Sequence, residues 1–368
     1  TNMLFATTDG HIGYWHTPAL PIRSQFSPLA GFMAQDGSHS RYSWVEIMPH
    51  TLKPHVVDPA DGYVFSANNM PIGNWYPIWA STMFGGGDTL RSARARELLE
   101  TYAAAGNITP AIALSMHYDR SPNVFREIVR IGIYQYFKAP ASFSTNAQDA
   151  IRNLIVWYNN GAQMDPNENS YALAHNFSIL FRSFNAPILS AEYGESEPGM
   201  SAYARHIKHT LDTNPTYTLT AGDMEYLDWF FRDAWAATVA KVGSNPANWK
   251  TNFGNHIDSK LDAPYMNMLF DNYGSLDPTH DQLYSSINSP HGMTLYSDKG
   301  QVYSQVVNYE DVDASMALSP FGVSEDPNSG RFDNQVSLWQ AGQYHDAPLS
   351  ETVVELIMVS QTTLNYSP

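Results

Sequence analysis

Over the first eighty residues the apolar positions come in short runs, each bounded by Gly, Pro, Asn or Asp. Residues 12–16, 44–48 and 63–67 read as strands. Residues 4–6 face 12–14 across Asp9-Gly10, a hairpin signal because both turn positions take positive φ at little cost. Between 88 and 243 the period changes. Residues 89–105, 122–137, 147–159, 171–184, 199–211 and 224–242 carry apolar side chains at helical spacing, with Gly106 and Gly243 as stops and Asp223 as an N-cap. Strand patterns return in 290–368, at residues 293–296, 302–307 and 314–318 and in a β-branched run at 353–363. A strand-rich segment 1–80, a helical block 88–243 and a strand-rich return predict one α+β domain over 1–368. Its sheet would be assembled from distant segments, with helices on its faces and with edges that a neighbouring segment would fill.

Composition narrows the function. A 368-residue chain with 43% hydrophobic residues can bury a large core, which excludes disorder. Thirty-six acidic residues against twenty basic ones give a net charge of −16, which argues against nucleic acid or an anionic membrane as a partner. With no cysteine there is no disulfide, thiolate metal site or Cys nucleophile. No stretch reaches the roughly eighteen apolar residues of a membrane span. The chain opens on Thr1, without initiator methionine or signal-peptide pattern, and reads as a processed or truncated product.

Self-contained hydrolase motifs are absent: there is no G-x-S-x-G, Walker A or H-E-x-x-H sequence. His206 and His209 share a predicted helix face but lack a third ligand at matching spacing. Asp165 to Ser170 opens like a calcium loop but lacks its glycine and its bidentate Glu. Gly85-Gly86-Gly87-Asp88 leads into a helix without the strand fingerprint of a phosphate loop. Glu192, Glu195 and Glu197 could support paired-carboxylate glycosidase chemistry or form a solvated loop. Ser66-Ala67-Asn68-Asn69-Met70-Pro71 ends a predicted strand on two side-chain amides and a proline, and by itself reads as an Asx-type turn.

Asp9-Gly10-His11-Ile12-Gly13-Tyr14 with Pro21-Ile22-Arg23 resembles the G-x-I-G-Y and P-x-R segments of the penicillin acylase family of N-terminal-nucleophile hydrolases. Ile47-Met48-Pro49, the turn Asp58-Pro59-Ala60-Asp61-Gly62 and the strand end Ala67-Asn68-Asn69-Met70-Pro71 are similar to that family's next segments in the same order. Arg91 heads a helix ending in Leu98-Leu99. Trp157 with Asp165 and Ala172, and Trp249 with Gly254 and His256, match later segments. Pro320 to Ser324 with Leu338-Trp339 to Tyr344 resembles a variant of the family ending, in which Phe321 and Val323 replace small or polar residues.

The resemblance implies a four-layer αββα sandwich, here partial and completed by upstream segments, within the downstream part of a catalytic β subunit. It implies an amidohydrolase whose nucleophile is a serine freed by self-cleavage upstream of Thr1. It makes Asn68 the oxyanion donor and Arg91 an active-site arginine; Thr1 and Asn2, on a strand beside the acyl pocket, and Asn69, which shapes the turn, are the substrate-pocket residues. No cofactor is required. Calcium is a structural ion in the family, but Pro77-Ile78-Trp79-Ala80 stands where a carboxylate ligand would be sought. The implied partners are the α subunit and the nucleophile-bearing segment of the same precursor, with a small-molecule N-acyl substrate and a periplasmic or secreted location. A non-catalytic scaffold relative, or a carbohydrate-active enzyme using Glu192 and Glu197, are the alternatives.

Overall fold

The computed structural model describes residues 2–26, 34–67, 69, 71, 90–106, 108–119, 121, 123–164, 168–174, 176–177, 219–254, 260–261, 287–291, 294–299, 303–319, 322–326 and 328–358. Strands β1 (Asn2–Ala6), β2 (Ile12–His16), β3 (Pro21–Arg23), β4 (Trp44–Ile47) and β5 (His55–Val57) come first. Helices α1 (Leu90–Ala104), α2 (Pro110–His117), α3 (Asn123–Lys138), α4 (Thr145–Asn159), α5 (Ala221–Val242) and α6 (Trp249–Gly254) follow. Then come β6 (Lys260–Leu261), β7 (Ile287–His291), β8 (Thr294–Lys299), β9 (Ser304–Val306), β10 (Met316–Leu318), α7 (Val336–Ala341), β11 (His345–Asp346) and α8 (Glu351–Ile357).

The helical block holds the main core. On α4 the buried positions are Ala147, Ala150, Ile151, Leu154 and Trp157, one stripe at 3.6-residue spacing; on α5 they are Leu227, Phe230, Phe231, Ala234, Thr238 and Val242. The two stripes join one apolar cluster with α3, residues 171–174 and Phe177, and within it Phe177 stacks on Phe231 at 5.1 Å between ring centroids. Each large side chain so buried contributes about 1.5–3 kcal/mol. Trp157 and Trp249, at 1% and 0% exposure, anchor this core, and each ring N–H donates to a backbone carbonyl, Gln163 at 2.8 Å and Gly243 at 2.7 Å. Gly243, at φ 85°, closes α5 in a conformation that a side chain would strain.

Several expectations change. Among the described residues the strands form four sheets rather than one: β1-β2-β5, β3-β4, β6-β8-β7 and β11-β10-β9. Each ladder joins strands from the same end of the chain, whereas a single sheet would require ladders between the two ends. Residues 63–66 belong to no strand. The Ala67 N–H is taken by the Asn69 side chain at 3.0 Å, so local side-chain bonding replaces a ladder there. The β-branched run at 353–357 is helical, in α8, because its start is fixed by tertiary bonds. Asp313 accepts from the backbone N–H groups of Leu349 and Ser350 at 3.0 and 2.7 Å and from the Ser350 hydroxyl at 2.6 Å. Asp223 is not the cap of α5: Thr220 is, and Asp223 completes a capping box from the third helical position. Helix α2, apolar along most of its length, has no counterpart among the expected elements; Thr109 caps it and Pro110 opens it.

Candidate functional site

The site is built where the first hairpin meets the segment after β5. In the β1–β2 ladder Asn2 lies opposite His16 and Leu4 opposite Tyr14. Because side chains alternate along a strand, Tyr14 and His16 share a face, and both are buried. Gly13, between them, faces Phe5 across the ladder; a Cβ there would stand 2.3 Å from the Phe5 ring and 3.0 Å from the Val56 carbonyl. A side chain there would have to displace the Phe5 ring and crowd the Val56 carbonyl, so glycine lets β1 and β5 close on β2 without that shift. The Tyr14 hydroxyl donates to Asn2 Oδ1 at 2.6 Å, and His16 Nδ1 lies 3.0 Å from the same oxygen. Asn2 Nδ2 in turn donates to Ser66 Oγ at 2.6 Å.

Asp58 fixes the approach of the chain to Ser66. Its carboxylate accepts from Ile12 N at 3.0 Å and lies 2.7 Å from His11 Nδ1, and its own N–H donates to Ile12 O at 2.9 Å. The Ile12 N–H, with His11 beside it, holds the Asp58 carboxyl below the usual carboxylate range. Gly62 N then donates to Pro59 O at 2.9 Å, closing the turn that leads to residues 63–67.

Alongside this segment opens a cleft of about 300 Å³, walled by Tyr14, Tyr63, Phe65, Ser66, Asn69 and Arg96 among others. The Arg96 guanidinium lies over the Phe65 ring, 5.4 Å from its centroid. Burial pushes the Tyr14 hydroxyl up to about 12, so it remains a donor across the neutral range. Burial, with the Lys53 ammonium adding to it, lowers His16, which favours the neutral imidazole at pH 7. The site thus offers fixed neutral donors and acceptors next to an aromatic-walled cleft.

The expected site residues fare unequally. Asn2 sits at the centre of the hydrogen-bond cluster, and Asn69 Oδ1 accepts from the Ala67 backbone, two residues back. Arg91 is the second residue of α1, and its side chain lies outside the described residues, as do Thr1 and Asn68. Glu192, Glu195, Glu197, His206, His209, Asp165 and the stretches 77–80 and 85–88 are also outside them. Among the described residues no group of three or more His, Asp or Glu could hold a metal ion. Tyr14 and His16 were not singled out as site residues, and Ser66 entered only as the first residue of the segment that carries Asn68. The alternation of Tyr14 and His16 on one face of a predicted strand was the available signal.

Residues 1–355 match the family described as Penicillin amidase, and the chain belongs to that family. Two curated relatives are similar to it. One is the penicillin acylase 2 proenzyme of Pseudomonas sp. (strain SE83), 24% identical over 203 residues covering 53% of this chain and 24% of that protein. The other is the acyl-homoserine lactone acylase QuiP of Pseudomonas syringae pv. tomato (strain ATCC BAA-871 / DC3000), 22% identical over 379 aligned residues covering 95% of this chain and 44% of that protein. The chain therefore spans less than half the length of either. Among solved structures, a thermostable penicillin G acylase from Alcaligenes faecalis superimposes with a TM-score of 0.57 over 100% of this chain and 68% of its own. At 14% identity that similarity establishes the fold alone.

Proposed function

We propose that this chain is the downstream part of the catalytic subunit of an amidohydrolase that cleaves the linear amide of an N-acyl compound, such as a β-lactam side chain or an acyl-homoserine lactone. The nucleophile is an N-terminal serine on a segment upstream of Thr1. Its α-amine takes the hydroxyl proton through a water while Oγ attacks the carbonyl carbon. As the carbonyl oxygen gains charge, the Asn68 side-chain amide donates to it more strongly than to the ground-state carbonyl, which lowers the barrier. Arg91 steadies the neighbourhood of Asn68 and the amine, and Thr1 and Asn2 belong to the wall of the acyl pocket.

The observation that carries this reading is the convergence of Tyr14 and His16 on Asn2, which itself bonds Ser66, two residues before Asn68, beside an aromatic-walled cleft. Such a cleft suits a small acyl compound. The chemistry requires no cofactor, and we assign calcium, where the family carries it, a structural role supplied outside this chain. Residues 1–368 form one segment of a four-layer αββα sandwich, completed by the α subunit and the nucleophile-bearing segment of a self-cleaved, periplasmic or secreted precursor. Strand side chains exposed to a degree unusual for such residues, among them Val45 at 68%, Trp44 at 61% and Met3 at 52%, support a further segment packing there. No described helix is long and apolar enough to cross a membrane.

Denaturing intact-mass measurement of the native protein, with N-terminal sequencing of every chain, tests the split architecture. A co-purifying polypeptide beginning with serine is the expected result. A product with no serine-initiated chain would exclude the proposed nucleophile.

A further inference from the structure

Residues 63–66 belong to no strand, so the stretch that delivers Asn68 lacks the ladder bonds that fix β1, β2 and β5. Side chains fix it instead. Asn2 Nδ2 holds Ser66 Oγ at 2.6 Å across 64 residues of sequence, and Asn69 Oδ1 holds the Ala67 N–H at 3.0 Å. Asn2 is itself held: its Oδ1 lies 2.6 Å from the Tyr14 hydroxyl that donates to it and 3.0 Å from His16 Nδ1. Tyr14 and His16 are 8% and 3% exposed and stand on a strand paired on both sides, so the anchor is rigid. A bond made by one side chain thus connects the paired strands to the residues flanking Asn68.

We propose that Asn2 is a positioning residue, which sets the placement of the residue-68 donor through Ser66 and does not itself touch the reacting atoms. The inference rests on the reading of Asn68 as oxyanion donor. Oxyanion stabilisation depends on the donor meeting the place where charge develops, and a displacement near 1 Å costs on the order of a hundredfold in rate. Loss of the Asn2–Ser66 bond therefore acts on the chemical step, while substrate binding along the cleft persists. The two residues act through one bond, so their effects do not multiply.

The test uses the complete protein with an N-acyl amide that it hydrolyses, and compares Asn2→Leu, Ser66→Ala, the double variant and Asn2→Asp. Each single variant is expected to lower kcat roughly tenfold to a hundredfold, and in Ser66→Ala, which removes only a hydroxyl, KM should stay within about twofold. The double variant should be no slower than the slower single. Asn2→Asp, whose carboxylate can accept from both Tyr14 and the Ser66 hydroxyl, should restore most of the lost turnover. Unchanged kcat in Ser66→Ala, or losses that multiply in the double variant, would overturn the proposal, and Ser66→Ala decides alone if Asn2→Leu does not fold. Asn68→Ala run in parallel separates the two readings. Turnover lost in Asn68→Ala but intact in Ser66→Ala removes only the positioning role; turnover intact in Asn68→Ala removes both.

Discussion

Arg94 and Asp119 form a bidentate pair at 2.9 and 2.7 Å, each side chain only 8% exposed. Burial works against the guanidinium charge, but Asp119 and Glu97 outweigh it and hold its pKa above the usual value. Such a pair gives modest net stability when intact, yet removing one member leaves a buried charge without compensation. Arg94→Met should therefore destabilise the protein by about 3–5 kcal/mol in denaturant unfolding, far more than an exposed arginine would. Asp119 lies 25 residues from Arg94, beyond the reach of helical spacing rules, so sequence patterning pointed to Arg91 and passed over its neighbour one turn on. Buried histidines set a pH dependence. His16 and His117 are both lowered from 6.5 by burial, so the unfolded chain binds protons more readily than the folded one. Their contribution is fully present above that unfolded value and is lost as pH falls through the lowered folded values. The unfolding midpoint should drop below about pH 6.5, and by less in His16→Asn.

At the scale of elements, local chemistry was legible wherever local chemistry decides. Asp9-Gly10 does lie in the loop joining β1 and β2, and the helical stripes of α4 and α5 are the stripes that bury. The cap of α5 was displaced by three residues because Thr220 and Asp223 are both capping types and only their reciprocal bonds distinguish them. Thr220→Ala removes the cap and half of the box, and should cost about 1 kcal/mol by thermal unfolding without changing the fold. Residues 63–67 and 353–357 have strand composition, yet neither becomes a strand. A strand needs a partner edge, and partners are a property of the assembled molecule rather than of the segment. In both places short bonds from distant or flanking side chains, Asn69 in one and Asp313 in the other, fix the backbone another way.

Across the whole molecule, the ordered motif segments placed the chain in its family although relatives share only 22% and 24% of residues. The contacts that shape the candidate site were not legible. Asn2 to Ser66 spans 64 residues and His11 to Asp58 spans 47, and neither pairing follows from local periodicity. Gly13, by contrast, carried its meaning in the motif, since a Cβ there would meet the Phe5 ring and the Val56 carbonyl. The central claim is that the residue-68 amide stabilises the oxyanion in a serine-dependent amide cleavage. Its most direct test is kcat/KM of Asn68→Ala in the complete, processed protein on an N-acyl amide. The account predicts a fall of a hundred- to a thousand-fold, about 2.7–4 kcal/mol, with the processed chains still assembled. Turnover near that of the unaltered protein would contradict it.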